Sequence, residues 1–429
     1  MKTSFFIKKC LLVVFFIGCS VTFLMSKMYA QVPKLRLDPS RAYGGVASEY
    51  FDEIEYIPLE TSKESTFGDI NDLLITDSSF VVADLDTKAI YFFSSEGKFV
   101  TKVNGQIFIT HDQSKNQIVS FKFSPDQSKI YFNYFSLLGK KVQPEMQVDL
   151  KGVNSLNGDG EAKLKTFSKP LGYEYFLYTN SKIFNRDNNH MPAPAYLYSI
   201  YKNDSLYKNV VLVKDNVLAA TKKLAPGYVG LPSVVEDGAF YITTPLDFNL
   251  YKVSKDTAVE VCQFIFPANR VLPQNIIESG NNKLLDSVRS SIYTNRKLIL
   301  NTTNVFFSGS KLFYKISTPS SVVSFNNSAN EYQYNFIYDT ISKKLSSLDR
   351  ITPSEKSFFL PIMGETSKMR GIIPYKKYLY SYLSSLVLFN SKDKAKSKNP
   401  QYSPVLQEYF KTQNRKSNPV IVRMKLKEG

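Results

Sequence analysis

The sequence predicts an all-β protein: a β-propeller, in which small antiparallel sheets stack around an axis and the two chain ends meet in one sheet or in adjoining ones. Three observations lead there. Short runs rich in Val, Ile, Phe and Tyr recur from residue 54 to the C-terminus. Ser, Asp, Asn and Gly turns separate them, in groups that read as repeated antiparallel meanders. The folded region both begins and ends on a strand, at 53–59 and 419–427, so a sheet shared by both termini removes two free edges. A β-sandwich followed by a second β domain is the competing architecture.

The elements follow in order. Lys2, Lys8 and Lys9 precede an apolar run from Cys10 to Ile17 that fades by Met25. A basic start followed by an apolar stretch of this length is an export signal. It falls short of the ~20 apolar residues of a comfortable membrane span. Two cleavage chemistries compete. Phe16-Ile17-Gly18-Cys19 resembles a lipoprotein signal, with Cys19 as the lipidated N-terminus; Tyr29-Ala30 before Gln31 offers ordinary cleavage after a small residue. Residues 1–30 are thus expected as a signal peptide, 31–50 as a linker and 51–429 as one propeller domain. Export places the protein in the periplasm or at the outer-membrane surface, with a membrane contact only through a lipid anchor.

Within the domain, Ile54-Glu55-Tyr56-Ile57-Pro58-Leu59 opens the first strand. A meander then follows: Asp72-Leu73-Leu74-Ile75, Phe80-Val81-Val82-Ala83-Asp84, Ala89-Ile90-Tyr91-Phe92-Phe93 and Lys98-Phe99-Val100-Thr101-Lys102-Val103. Similar runs recur at 118–123, 129–132, 238–243, 249–253, 259–264, 304–307, 311–316, 320–325 and 332–338. Residues 51–429 divide into six units of about 63 residues or eight of about 47, the second nearer the usual repeat of about 40–50. Spacing alone leaves the blade number open. Helices are few. Ser403 as N-cap, Pro404 at the first position and a stripe of Val405, Leu406, Tyr409 and Phe410 predict one over 403–412. A second is expected from Gln274 to Ser290, weakened by Gly280.

Four of these stretches resemble a known family, the six-bladed β-propeller proteins of unknown function exported by Gram-negative glycan-degrading bacteria. They are Phe51-Asp52-Glu53-Ile54-Glu55-Tyr56-Ile57-Pro58-Leu59-Glu60-Thr61, Ile90-Tyr91-Phe92-Phe93-Ser94-Ser95-Glu96-Gly97-Lys98-Phe99, Asn249-Leu250-Tyr251-Lys252-Val253 and Asn418-Pro419-Val420-Ile421-Val422. The resemblance implies six blades of four antiparallel strands, closed by the N- and C-terminal strands. It brings no established activity. Where the family carries a Gly-Pro-Gly-Glu turn after its first hairpin, this chain reads Asn104-Gly105-Gln106-Ile107-Phe108-Ile109.

Composition narrows function by exclusion. A 43% hydrophobic and 14% aromatic chain is globular, not disordered. Three cysteines are present, two of them in the signal, so Cys262 stands alone in the body. One thiol makes neither an internal disulfide nor a zinc site, and its strand context predicts an inert, packed side chain. With only His111 and His190 available, a catalytic triad or histidine metal centre is poorly supplied. No phosphate-binding Gly-rich loop and no zinc motif occurs, and no cofactor is expected. Asp84 with Asp86, and Glu53 with Glu55, are the carboxylate pairs nearest to glycosidase geometry, and they read better as turn caps and solvated strand positions.

The net charge of +16 suggests, for an exported protein, an anionic glycan or an envelope protein as partner rather than nucleic acid. Its densest cluster, Lys392-Asp393-Lys394-Ala395-Lys396-Ser397-Lys398, reads as a solvated loop or guarded edge. Tryptophan is absent, so any sugar platform falls to the 28 tyrosines. The candidates for ligand binding are Tyr173, Tyr175, His190, Tyr375 and Tyr378, in the densest tyrosine clusters and an evident loop. Four Asp-Ser/Thr-apolar triplets, at Asp204, Asp256, Asp286 and Asp339, resemble O-glycan acceptors of exported bacterial proteins. The expected function is a non-catalytic binding module for a glycan, peptide or envelope partner. A lyase or hydrolase with its site at the axial mouth, and a purely structural envelope component, are the alternatives.

Overall fold

A computed structural model describes residues 32–104 except 85 and 88, the strand segments between 116 and 202, then 205–224, 239–318 except 255, 256, 280 and 296, then 334–364 and 371–427. The N-terminal segment carries β1 (Lys34–Arg36), β2 (Tyr43–Val46), the single-turn α1 (Ala47–Tyr50) and β3 (Phe51–Pro58). The first sheet is the meander β4 (Asp72–Ile75), β5 (Ser79–Asp84), β6 (Ala89–Ser94) and β7 (Phe99–Asn104). The second holds β8 (Asn116–Phe123), β9 (Lys129–Ser136), β10 (Met146–Asp149) and β11 (Lys165–Thr166). The third holds β12 (Phe176–Thr179), β13 (Tyr196–Lys202) and β14 (Ser205–Leu212), followed by α2 (Asp215–Leu224). The fourth is β15 (Phe240–Thr243), β16 (Asn249–Val253) and β17 (Ala258–Ile265), after which come α3 (Gln274–Glu278) and α4 (Asn282–Thr294). The fifth is β18 (Asn301–Ser308), β19 (Lys311–Ser317), β20 (Asn335–Asp339) and β21 (Leu345–Thr352). The sixth contains β22 (Ile373–Tyr375), β23 (Tyr378–Leu383), the helices α5 (Ser385–Ala395) and α6 (Pro404–Thr412), and β24 (Val420–Leu426).

The central strands of the first sheet form where the sequence places them because both of their faces are buried. In β5 and β6 nearly every residue is buried, including Phe80, Val81, Val82, Tyr91, Phe92 and Phe93. Such runs have no polar face to give water and must be covered on both sides. The turns obey local chemistry. Between β4 and β5, Ser79 N–H donates to Thr76 Oγ1 at 2.9 Å. Between β6 and β7, Gly97 has φ +82°, and a Cβ there would lie 2.2 Å from the Pro58 carbonyl oxygen. Only glycine permits this turn to seat against the end of β3.

From the third sheet to the sixth, successive sheets share apolar cores. Leu250, Cys262 and Phe264 of the fourth pack with Leu312, Tyr314 and Phe336 of the fifth. Phe306, Phe313 and Ile337 of the fifth pack with Leu379, Val420, Val422 and Met424 of the sixth. Ile242 and Val253 of the fourth join Tyr198 and Val210 of the third, beneath α2 and α4. The sixth sheet meets the first: Tyr380, Tyr382 and Ile421 pack with Leu73, Phe80, Val82 and Phe93. Sheets at opposite ends of the sequence are therefore neighbours in space.

The termini meet as the sequence reading requires. β3 pairs antiparallel with β24 from Val420↔Pro58 to Leu426↔Phe51. The segment 31–50, expected as a linker, carries strands of its own. β1 lies parallel along β17, and β2 lies parallel along β21. One N-terminal stretch thus lines the edges of the fourth, fifth and sixth sheets in turn. The sheets are accordingly not uniform sets of four antiparallel strands: the third has three described strands, the fourth a parallel fourth strand and the fifth a parallel fifth. Edges left open by hairpins are natural templates for such additions.

The helices show what pattern reading catches and misses. α6 starts as expected, with Ser403 Oγ accepting from Leu406 N–H. Its stripe is narrower than expected: Leu406 and Tyr409 are buried, whereas Val405 is 57% exposed, because the core touches α6 on one side only. The expected 274–290 helix is α3 and α4, broken around residue 280. α2 and α5 were not legible. The 392–398 lysine cluster is consequently not a loop or an edge: it forms the last turn of α5 and the 3-10 turn after it, where cations complement the helix carbonyls.

Candidate functional site

The junction of the sixth and first sheets holds the described candidate residues. It is fastened by Asn418, wholly buried just ahead of β24. Its side-chain amide donates to the Glu60 and Ser65 carbonyls at 2.7 and 2.9 Å, and its carbonyl accepts Phe67 N–H at 3.1 Å. The loop from β3 to β4 is thereby tied to the C-terminal strand. The Asn418 main-chain carbonyl accepts Ser385 Oγ–H at 2.6 Å, which links α5 to the same point. Tyr56 of β3 places its buried hydroxyl within 3.2 Å of the Ser357, Leu360 and Pro361 carbonyls. Burial raises its pKa far above the usual phenol value.

The outward faces of β3 and β24 form a short charge ladder. Glu55 stands opposite Arg423, and Glu53 opposite Lys425. Arg423 donates to Glu55, and Lys425 to Glu53 at 3.1 Å. Partial burial pulls the Arg423 pKa down, but the Glu55 carboxylate outweighs this and the net shift is upward. Glu53 and Glu55 are thus spoken for as strand ion pairs. Asp84 is a turn cap: its Oδ2 accepts Thr87 N–H at 2.9 Å and Thr87 Oγ1–H at 2.6 Å.

At the turn joining β22 to β23 the structure places two of the predicted tyrosines together. Tyr375 and Tyr378 face each other across the two-residue turn Lys376-Lys377, with Lys376 at φ +51°. The Tyr375 hydroxyl donates to Asp77 Oδ1 at 2.9 Å, from the β4–β5 turn of the first sheet. Lys376 is paired with the same carboxylate. The Lys376 and Tyr375 hydrogen bonds hold Asp77 below the usual carboxylate range, while partial burial and then Asp77 push Tyr375 upward. Lys377 Nζ stands 5.4 Å and Arg423 Cζ 5.1 Å from the Tyr378 ring centroid, both within cation–π range. The result is a half-exposed patch of two phenol rings and two surface lysines at the sheet junction. Lys377 has no carboxylate partner among the described residues.

Tyr173, Tyr175, His190, His111 and Cys19 lie outside the described residues. Cys262 is buried, and its thiol is pushed up to about 12 by burial and then by the Glu260 charge, so thiolate chemistry is suppressed. Of the acceptor triplets, Asp339-Thr340-Ile341 forms a turn with Ile341 79% exposed, and Asp286-Ser287-Val288 lies inside α4. Asp204 and Asp256 fall outside the described residues. Sequence reading missed Asp77, Lys376, Lys377 and Arg423 as partners of the tyrosines. The pattern Tyr-Lys-Lys-Tyr at a hairpin was the available signal; Asp77 and Arg423, distant in sequence, gave none.

Residues 39–106 match the model of a family described as a 6-bladed β-propeller. That stretch runs from the N-terminal segment through the first sheet. No curated protein matches the sequence. Among solved structures, a candidate exported protein from Bacteroides fragilis is similar at 12% identity, with 92% of this chain and 100% of that one covered and a TM-score of 0.58. A second, from Bacteroides vulgatus, is similar at 10% identity, with 88% and 98% covered and a TM-score of 0.40. Among the described residues, no helix is long and apolar enough to cross a membrane. The chain is a mostly β protein with a propeller-type fold, and the likeness reaches the fold alone.

Proposed function

We propose that this protein is an exported, non-catalytic six-bladed β-propeller that binds an anionic glycan at the junction of its sixth and first sheets. The blade count is supported by six sheets formed in sequence order, of which the third to the sixth share cores in turn and the sixth packs on the first. Export is supported by the basic and apolar leader and by the description of the Bacteroides fragilis neighbour. Cys19 lipidation and cleavage after Ala30 give different N-termini, which intact mass of the native protein separates.

The binding role rests on one observation. Tyr375 and Tyr378 bracket two surface lysines, while the carboxylates around them are held in structural pairs. Phenol rings offer sugars an apolar face with a polar tip, and ammonium groups offer point charges to carboxylates or sulfates. Neither requires a catalytic dyad. The test is a glycan array spanning uronic, sulfated and neutral sugars, repeated with Tyr378→Ala and Lys377→Gln. Selective binding of anionic glycans, weakened about tenfold in each variant, is expected. Unchanged binding in both variants, or no binding at all, overturns the assignment. Cleaved product appearing from a bound glycan would replace it with the lyase or hydrolase reading.

A further inference from the structure

The net charge is not evenly spread. Segment 384–419, the insertion between β23 and β24, contains Lys392, Lys394, Lys396, Lys398, Lys411, Arg415 and Lys416 against Asp393 and Glu408 alone. It therefore carries a large share of the +16 excess in a small part of the chain. α5 and α6 build it as a helical pair. Phe389 packs against Tyr409 and Phe410, and Ser385 hydrogen-bonds the Tyr409 hydroxyl at 2.6 Å. Its root is the buried Asn418. The surface is thus ordered from beneath, and its cations are displayed on a rigid support.

Three features separate this surface from a specific anion pocket. All of its cations except Lys392 are exposed. They are almost all lysines, compact point charges without the forked geometry that selects single phosphates or carboxylates. The one arginine is engaged by Asp393 at 2.6 Å and by Asn390 at 3.3 Å. Two lysine ammonium groups lie over aromatic rings, Lys392 Nζ at 4.7 Å from the Phe410 centroid and Lys398 Nζ at 4.8 Å from Phe359. On the same helical pair, Leu386 and Val405 stand 50% and 57% exposed at the starts of the two helices. Broad lysine charge with exposed aliphatic side chains on a helical surface is the pattern of attachment to anionic lipid headgroups.

We infer that the α5–α6 hairpin docks the protein onto an anionic phospholipid surface. β23 runs from the Lys376-Lys377 turn at one end to Leu383 at the other, where the hairpin begins. The lipid-facing surface and the tyrosine patch therefore lie at opposite ends of the same strand. A membrane held at the hairpin leaves the tyrosine patch at the far end of β23, open to a glycan. The inference relies on the export reading to bring the protein to a membrane, but not on glycan binding.

The test is co-sedimentation of the full exported chain with two kinds of vesicle, phosphatidylcholine alone and phosphatidylcholine containing about a third phosphatidylglycerol. The variant is Lys394→Gln, Lys396→Gln, Lys411→Gln and Lys416→Gln combined, whose side chains are exposed and outside the core. Binding to the anionic vesicles alone is expected, falling about tenfold or more in the variant and again on raising salt to about 0.5 M. An unchanged melting temperature shows that the variant is folded. Equal binding to both vesicles, as a lipid anchor alone would give, overturns the inference, as does an anionic preference the variant retains. So does retention on a sulfated polysaccharide without vesicle binding, which would assign the hairpin to an acidic polymer. Tyr378→Ala should bind vesicles as the wild type does, so a failure of the glycan reading leaves this result intact.

Discussion

The N-terminal segment touches three sheets, and it does so in two different ways. On the sixth sheet, β3 pairs antiparallel along its whole length with β24, buries Phe51, Ile54, Tyr56 and Ile57, and adds two charge pairs. On the fourth and fifth sheets, β1 and β2 pair parallel over three or four residues, and β2 slips register between Tyr43 and Gly45. Here the buried anchors are few, notably Leu37 and Ala42, while Tyr43 is 61% exposed. Both are edge additions, yet the first places four large side chains in the packed core, whereas the second adds only Leu37 and Ala42, with Leu35 half-buried against it. Edge pairing by itself covers a sheet; apolar side chains on both faces make the pairing essential.

Deleting 419–427 tests the essential half most severely. It removes the strand between β23 and β3, so no cooperatively folding product is expected. A thermal melt matching wild type would show that the two termini do not hold the fold together. Asn418→Ala is next. It leaves the buried Ser65 carbonyl and Phe67 N–H without this partner, at about 1–3 kcal/mol per stranded group with partial relaxation, while the Glu60 carbonyl keeps the Ser65 hydroxyl at 2.8 Å. A net loss of about 3 kcal/mol in urea unfolding is expected, and less than about 1 kcal/mol would mean the loop from β3 to β4 does not depend on this amide.

Truncation to begin at Ala47 tests the other half. It removes β1 and β2 with the burial of Leu37, worth about 1.5–3 kcal/mol, and should leave a folded protein about 2 kcal/mol less stable. Collapse of the fold would place the parallel strands in the essential class as well. The smallest effect belongs to the ion pairs. A Glu55/Arg423 double-mutant cycle should give a coupling of about 0.5 kcal/mol, reduced by salt, because both groups are partly solvated. A coupling above about 2 kcal/mol would move the charge ladder from register marker to principal fastening.

Fold type was legible where burial is two-sided, as in Phe80-Val81-Val82-Ala83 and Ile90-Tyr91-Phe92-Phe93, because no other element hides such runs. The joining of 53–59 to 419–427 was legible because lone terminal strands need partners. The roles of β1 and β2 were not: Lys34-Leu35-Arg36 and Tyr43-Gly44-Gly45-Val46 have little apolar pattern, and their pairing is dictated by edges distant in sequence. α5 escaped notice because its buried Leu388 and Phe389 precede a lysine run that reads as solvated chain. At the candidate site, Tyr375 and Tyr378 stood out by composition. Asp77, which fixes the Tyr375 hydroxyl, lies on another sheet, and sequence distance conceals it.

The antiparallel register of β3 with β24 also governs how the polypeptide reaches its native state. β3 is synthesised long before its partner, with 368 residues separating Glu55 from Arg423. Contacts of such long sequence separation slow folding, and an unmatched apolar strand is adhesive while it waits. Pairing of β3 with β24 therefore comes late, and a nascent chain stalled before residue 420 holds a sticky, unsatisfied edge.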